Sequence, residues 1–233
     1  MLFLSHLHAD LRQTLATRRG ATANIGEAPT GAHKVYPRMP HITLPSPEHL
    51  SMPFSDTINK RKSPTEKESI LPFSVQRIST LFGNSLKRHK ESSRRQYPSG
   101  GNFYPVEVYM VTKALEGYPP SVIHYDPTAH RLEILSRFEG DMQSLIREQP
   151  VELAYGTLVV FTSVWKRTGA KYGDFAYLLA LLEAGHMAQN LLLSATASGS
   201  NARPIMGFFD QKIIDLLDID PEEEQPVYTV AVW

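Results

Sequence analysis

No cysteine occurs among the 233 residues. Disulfides, thiol nucleophiles and thiolate metal sites are therefore excluded, and a reducing, cytoplasmic setting is the expectation. Charge of one sign is equally missing: 24 Lys and Arg balance 24 Asp and Glu. No global field draws the chain to nucleic acid or to a membrane surface. The opening MLFLSHLHADLRQ places His, Asp and Arg ahead of any signal-length apolar run, so neither a secretion signal nor a spanning segment is expected. GxGxxG, P-loop and HExxH patterns do not occur. Strands and helices alternate without a regular βαβ rhythm, which favours an α+β fold.

What is there centres on KYGDFAYLLALLEAGHMAQNLLLSATASG, residues 171–199. Its second part reads as one long helix with Asp174 as N-cap and Gly199 as the left-handed terminator. Apolar residues cover nearly every face, which places the helix in a core or a subunit interface. Glu183, His186, Gln189 and Asn190 interrupt it too heavily for a membrane span. His186 and Gln189 share a face, where a structural hydrogen bond across a dimer is the expectation.

Length suits one domain with a tail: an arm over residues 1–50, loosely ordered or docked on a partner, and a domain over 51–233. The arm's histidines, His6 and His8 included, lack a carboxylate cluster and read as exposed side chains rather than metal ligands. A short helix from Phe54 ends in NKRKS, where Lys60, Arg61, Lys62 and Ser63 make either a solvated turn or a phosphate site. Val75–Phe82 reads as a helix, residues 86–95 as a basic surface loop. YPSGGNFYP, residues 97–105, is either an ordinary loop or one whose adjacent glycines let backbone approach a ligand. Strands are expected over 106–113, 122–125, 132–135, 158–164 and 227–232, and helices over 141–148 and 210–217.

Three stretches together, RRQYPSGGNFYPVEVYMV, KYGDFAYLLALLEAGHMAQNLLLSA and PIMGFFD with the final strand, resemble the flavin-dependent nitroreductase-like family. The likeness is to its azoline dehydrogenase branch, the oxidase subunits of microcin B17-type synthetases, and covers roughly residues 54–233. The resemblance implies FMN, an intertwined homodimer with sites at the subunit interface, a precursor-peptide substrate and cyclodehydratase partners. It implies that Arg61, Lys62 and Ser63 hold the FMN phosphate, with Thr65 standing where a further basic residue is usual. Ser99, Gly100 and Asn102 would touch the flavin ring. Pro204, Met206 and Gly207 would lie on one flavin face, the Gly207 N–H aimed at N5, where a donor stabilises developing charge. Lys171 and Tyr172 match the branch's Lys-Tyr pair, while Phe175 and Leu178 replace arginines that often follow it.

Such an enzyme takes a proton from Cα and a hydride from Cβ of a thiazoline or oxazoline. Flavin accepts the hydride. Free Tyr and Lys titrate near 10, so the proton acceptor needs tuning: an ammonium favours phenolate, and burial disfavours a charged amine. Tyr172 as base with Lys171 tuning it is the expectation, the reverse assignment staying open. Rival readings are an NAD(P)H-dependent nitro- or quinone reductase and a flavin-free scaffold subunit.

Overall fold

The computed structural model describes residues 31–64, 72–92, 94–147 and 156–233. A seven-stranded antiparallel sheet runs in the order β1-β4-β3-β2-β5-β7-β6. The strands are β1 (His41–Thr43), β2 (Val106–Thr112), β3 (Ser121–Asp126), β4 (Arg131–Arg137), β5 (Thr157–Val164), β6 (Ala202–Ile205) and β7 (Glu224–Val232). Among the described residues five helices flank them: α1 (Phe54–Lys60), α2 (Val75–Gly83), α3 (Trp165–Tyr172), α4 (Phe175–Ala197) and α5 (Asp210–Leu217).

Both sheet faces are covered, because side chains of a strand alternate between them. Val106, Val108 and Met110 of β2, with Val159 and Phe161 of β5, face α2 and α4. Tyr109, Val111, Leu158 and Val160 face α5 and the turn at Met142–Leu145. That two-sided burial explains why β5 reads as an unbroken apolar run.

The long helix forms as expected, with Gly199 left-handed beyond it, although the Asp174 carboxylate makes no capping bond. The 141–148 helix does not form. Asp141 caps a single 3-10 turn, Met142–Leu145, and Ile146 turns extended to bridge Phe208. Asp210 is the first residue of α5 rather than its cap. Residues 89–92 and Arg94 are exposed as expected, but Leu86 and Arg95 are buried: the Arg95 guanidinium donates to the Tyr97 hydroxyl (2.8 Å) and lies over the Tyr104 ring.

The described part of the N-terminal arm packs on the body. Ile42 and Leu44 enter the core, and β1 extends the sheet. Upstream of β1, Lys34 N–H donates to Glu107 (2.7 Å), Lys34 Nζ pairs with Glu224, and Tyr36 N–H donates to Glu133 (3.1 Å). His124 bridges Glu107 (3.1 Å) and Glu133 (2.9 Å), so these three buried glutamates are all paired.

Candidate functional site

The Lys-Tyr pair does not open the long helix. It closes a separate one, α3, which follows β5 directly and stops at Gly173, φ 55°. Reversing at Gly173 into α4 leaves Tyr172 half-buried against the Ser99–Tyr104 loop. Tyr172 and Phe103 rings meet edge to face at 6.1 Å, and Lys171 Nζ lies 5.4 Å from both ring centres. A Cβ added at Gly101 would stand 2.9 Å from the Tyr172 hydroxyl and 2.8 Å from the Phe103 ring. Only glycine fits there, and its φ of +70° requires glycine a second time.

Strain concentrates in this loop. Asn102 (φ 59°) and Tyr104 (φ 49°) both hold left-handed backbone, a conformation that persists only where surroundings enforce it. The enforcement is visible around Tyr104. Its N–H donates to Ser99 Oγ (2.9 Å), its carbonyl accepts from Arg167 (3.0 Å), and its hydroxyl accepts from Arg95 N–H (3.1 Å). Asn102 O accepts from Gly31 N–H at 3.1 Å.

A second cluster lies elsewhere. The C-terminal end of α1 faces the segment joining α4 to β6. Between them is a cavity of about 210 Å³ lined by Lys60, Lys62, Thr196, Gly199, Ser200, Asn201 and Ala202. None of these is acidic. Arg203 reaches back to the carbonyls of Ser63 and Pro64, both at 3.3 Å, and its buried Nε has no partner among the described residues. The ammonium groups and hydroxyls that line the cavity make a donor set suited to a phosphate group. Lys60, rather than Arg61, lines the cavity beside Lys62, and Arg61 closes α1 through its N–H to Thr57 O. Thr65 lies outside the described residues. β6 leads from this cavity to Pro204, to Met206 (65% exposed) and to Gly207, whose carbonyl accepts from Arg147 N–H at 2.7 Å.

The structure thus groups the expected site residues in two places: Ser99, Gly100 and Asn102 with Lys171 and Tyr172, and Lys62 and Ser63 with β6, which runs on to Met206 and Gly207. It does not bring the two groups together in one protomer. The first lies at the sheet end where Val106, Ser163 and Gln225 align; β6 pairs the opposite end of β7. From Leu179, which packs on Gly100, to Thr196 in the basic cavity, α4 rises about 26 Å at roughly 1.5 Å per residue. His186 and Gln189 are exposed between them, with Tyr177 and Leu182.

Sequence reasoning counted Lys60 in the basic run but passed over Arg167, Arg203 and Glu183 as site residues. Glu183 left the clearest signal, a lone carboxylate inside an apolar helix. Burial pushes that carboxyl up to about 7 against the pull of Ser99 and Arg95.

Residues 68–232 match the nitroreductase family, and the chain belongs to it. Within the family it stands in the branch of the microcin-processing proteins. McbC of Escherichia coli, named as microcin B17-processing, is 28% identical over 198 residues, 75% of this chain and 71% of McbC. MJ1384 of Methanocaldococcus jannaschii, named as a nitroreductase, is 28% identical over 193 residues, 82% of this chain and 94% of that one. Among solved structures, the Escherichia coli McbBCD microcin synthetase with truncated pro-MccB17 superposes with a TM-score of 0.61. Identity there is 26%, over 70% of this chain and 64% of that one. A protein of Exiguobacterium sibiricum solved with FMN shares the fold at a TM-score of 0.53 and 12% identity, over 79% of this chain and 89% of that one. No helix among the described residues is long and apolar enough to cross a membrane.

Proposed function

We propose that the chain is an FMN-dependent azoline oxidase that converts thiazolines or oxazolines in a ribosomally made peptide to thiazoles or oxazoles. One observation carries the reading: a Lys-Tyr pair packed on a strained, glycine-dependent loop, in a chain of the microcin-processing branch. Lys60 and Lys62, together with Ser63 and Arg203, hold the phosphate of FMN, while Ser99, Gly100, Asn102, Pro204, Met206 and Gly207 frame its ring. Bound flavin supplies the hydride acceptor that no side chain can provide.

Tyr172 takes the Cα proton. The half-buried side chain stands against the loop, its hydroxyl close to Gly101, with the Lys171 ammonium over its ring. The two half-sites complete one another between protomers. A second copy laid antiparallel along α4, covering the exposed Tyr177, Leu182, His186 and Gln189, sets one chain's basic cavity near its partner's Lys-Tyr pair. Precursor peptide and cyclodehydratase subunits are the partners this reading entails.

The first test is the visible spectrum of the purified protein, with the released chromophore weighed. One equivalent of FMN per chain is expected. An azoline peptide then loses two hydrogens, and Tyr172→Phe abolishes the loss while keeping the flavin. Full oxidation by Tyr172→Phe rejects the base assignment. Flavin reduction by NAD(P)H with no azoline oxidation points to a reductase instead, and a colourless protein that takes up no FMN points to a scaffold.

A further inference from the structure

Glu183 is the one acidic residue of α4, and its side chain is 2% exposed. Its position is unusual for a carboxyl in a hydrophobic helix. Oε1 accepts from Val106 N–H at 3.4 Å, the Ser99 side chain interacts with the same carboxyl, and Oε2 has no partner among the described residues. Ser99 begins the segment SGGNFYPV and Val106 ends it. Ser99 Oγ also receives Tyr104 N–H. A single carboxyl therefore touches both ends of the segment that carries Gly100, Gly101 and Asn102.

We propose that Glu183 is a positioning residue of this site: its carboxyl pins both ends of the Ser99–Val106 segment and so sets where Gly100, Gly101 and Asn102 stand relative to Tyr172. The proposal rests on the reading of that segment as the flavin-side loop. Its geometry is independent of which substrate is oxidised.

The pin is sensitive to charge. Arg95 and Tyr97 face Glu183 from the segment ahead of the loop, Arg167 faces it from α3, and Glu107 lies beyond them on β2. Burial opposes ionisation and raises the carboxyl to about 7, so both forms are populated at neutral pH. Arg167 meanwhile bonds Tyr104 O (3.0 Å) and Glu107 (2.5 Å). Ser99, Arg95, the Val106 N–H and Arg167 all favour the ionised carboxyl against burial. Their hold on Glu183 therefore tightens as it ionises, and the loop is best held above about pH 7.

The test compares the full chain with Glu183→Gln, which imitates the neutral acid, and Glu183→Leu, which removes the pin. Two readouts are taken from pH 6 to 8.5: FMN affinity by fluorescence titration, and hydrogen exchange at the Tyr104 and Val106 amides. In the native protein affinity rises several-fold as pH rises through 7. In Glu183→Gln it stays at the low-pH value throughout. Glu183→Leu binds at least tenfold more weakly at every pH and exposes both amides to exchange, whereas Glu183→Gln keeps them protected. Native-like affinity and amide protection in Glu183→Leu overturn the proposal, as does an unchanged pH dependence in Glu183→Gln. If no form binds FMN, the flavin reading fails, and the exchange data alone then decide the role of Glu183.

Discussion

Replacing Gly101 by alanine separates two contributions that act together in the site loop. Alanine in left-handed backbone costs about 1–2 kcal/mol. The added methyl also falls 2.8 Å from the Phe103 ring and 2.9 Å from the Tyr172 hydroxyl, closer than unstrained atoms stand. Overpacking of that kind adds about 1–3 kcal/mol. The combined loss of about 2–5 kcal/mol lowers Tm by roughly 4–20 °C in a chain of this size. Gly117 supplies the control, because its φ is +80° and nothing lies within 4 Å of an added Cβ. Gly117→Ala loses about 1–2 kcal/mol by backbone strain alone and leaves the site untouched. Thermal unfolding of both variants measures the difference, and FMN titration reads the displaced Tyr172 and loop. Gly101→Ala should lose flavin affinity as well as stability; Gly117→Ala should lose only stability. A Gly101→Ala protein no less stable than Gly117→Ala, with native flavin affinity, refutes the packing described between the loop and the Lys-Tyr pair.

Charge reversal at the basic cavity, Lys60→Glu or Lys62→Glu, removes a charge-assisted contact worth about 1.5–3 kcal/mol, so FMN affinity drops about 10- to 100-fold or more. Unchanged titration curves for both variants exclude the cavity as the phosphate site. His124→Ala leaves Glu107 and Glu133 buried without the cation between them and destabilises by about 3–5 kcal/mol in denaturant unfolding. The pH dependence of stability carries the same signature. Burial lowers the proton affinity of His124, but Glu107 and Glu133 outweigh it and raise the group above 6.5. Its contribution is therefore full below 6.5 and is lost as pH rises through the raised value. Burial alone would raise Glu107, yet His124 and Arg167 hold it at about 2, so its contribution is present above about 4.5 and is lost as pH falls towards 2. A native protein whose stability is flat from pH 2 to 9 contradicts the pairing.

Much of this was legible from residue order alone. The long helix, the β3–β4 hairpin around Asp126-Pro127 and the twice-buried β5 announce themselves through periodicity and turn chemistry. The helix ending at Tyr172 did not, because WKRTGAKY is mostly polar and follows a strand without a break. The turn at Met142–Leu145 misled in the opposite direction: local signals suggest a helix, and pairing of Ile146 with Phe208 overrides them. Among site residues, adjacent glycines and the Lys-Tyr dipeptide mark the loop half-site in sequence. Lys60 stands in a basic run that the sequence marks, whereas Arg203 becomes recognisable only when β6 meets the segment after α1, a contact between positions far apart in the chain. Glu183 was visible as an interruption of an apolar helix, but its two attachments to the loop exist only in three dimensions.

The central claim is that each reaction site is shared between two copies of the chain, because one protomer holds its basic cavity and its Lys-Tyr pair at opposite ends of α4. Subunit mixing tests it most directly. A Lys60→Glu/Lys62→Glu chain and a Tyr172→Phe chain, each inactive alone, are unfolded together, refolded with FMN and assayed for azoline oxidation. Random pairing makes half of the dimers mixed, and each mixed dimer contains one site free of substitutions, so about a quarter of native activity should return. No recovery in verified mixed dimers, with each parent correctly folded, would show that the site belongs to a single protomer.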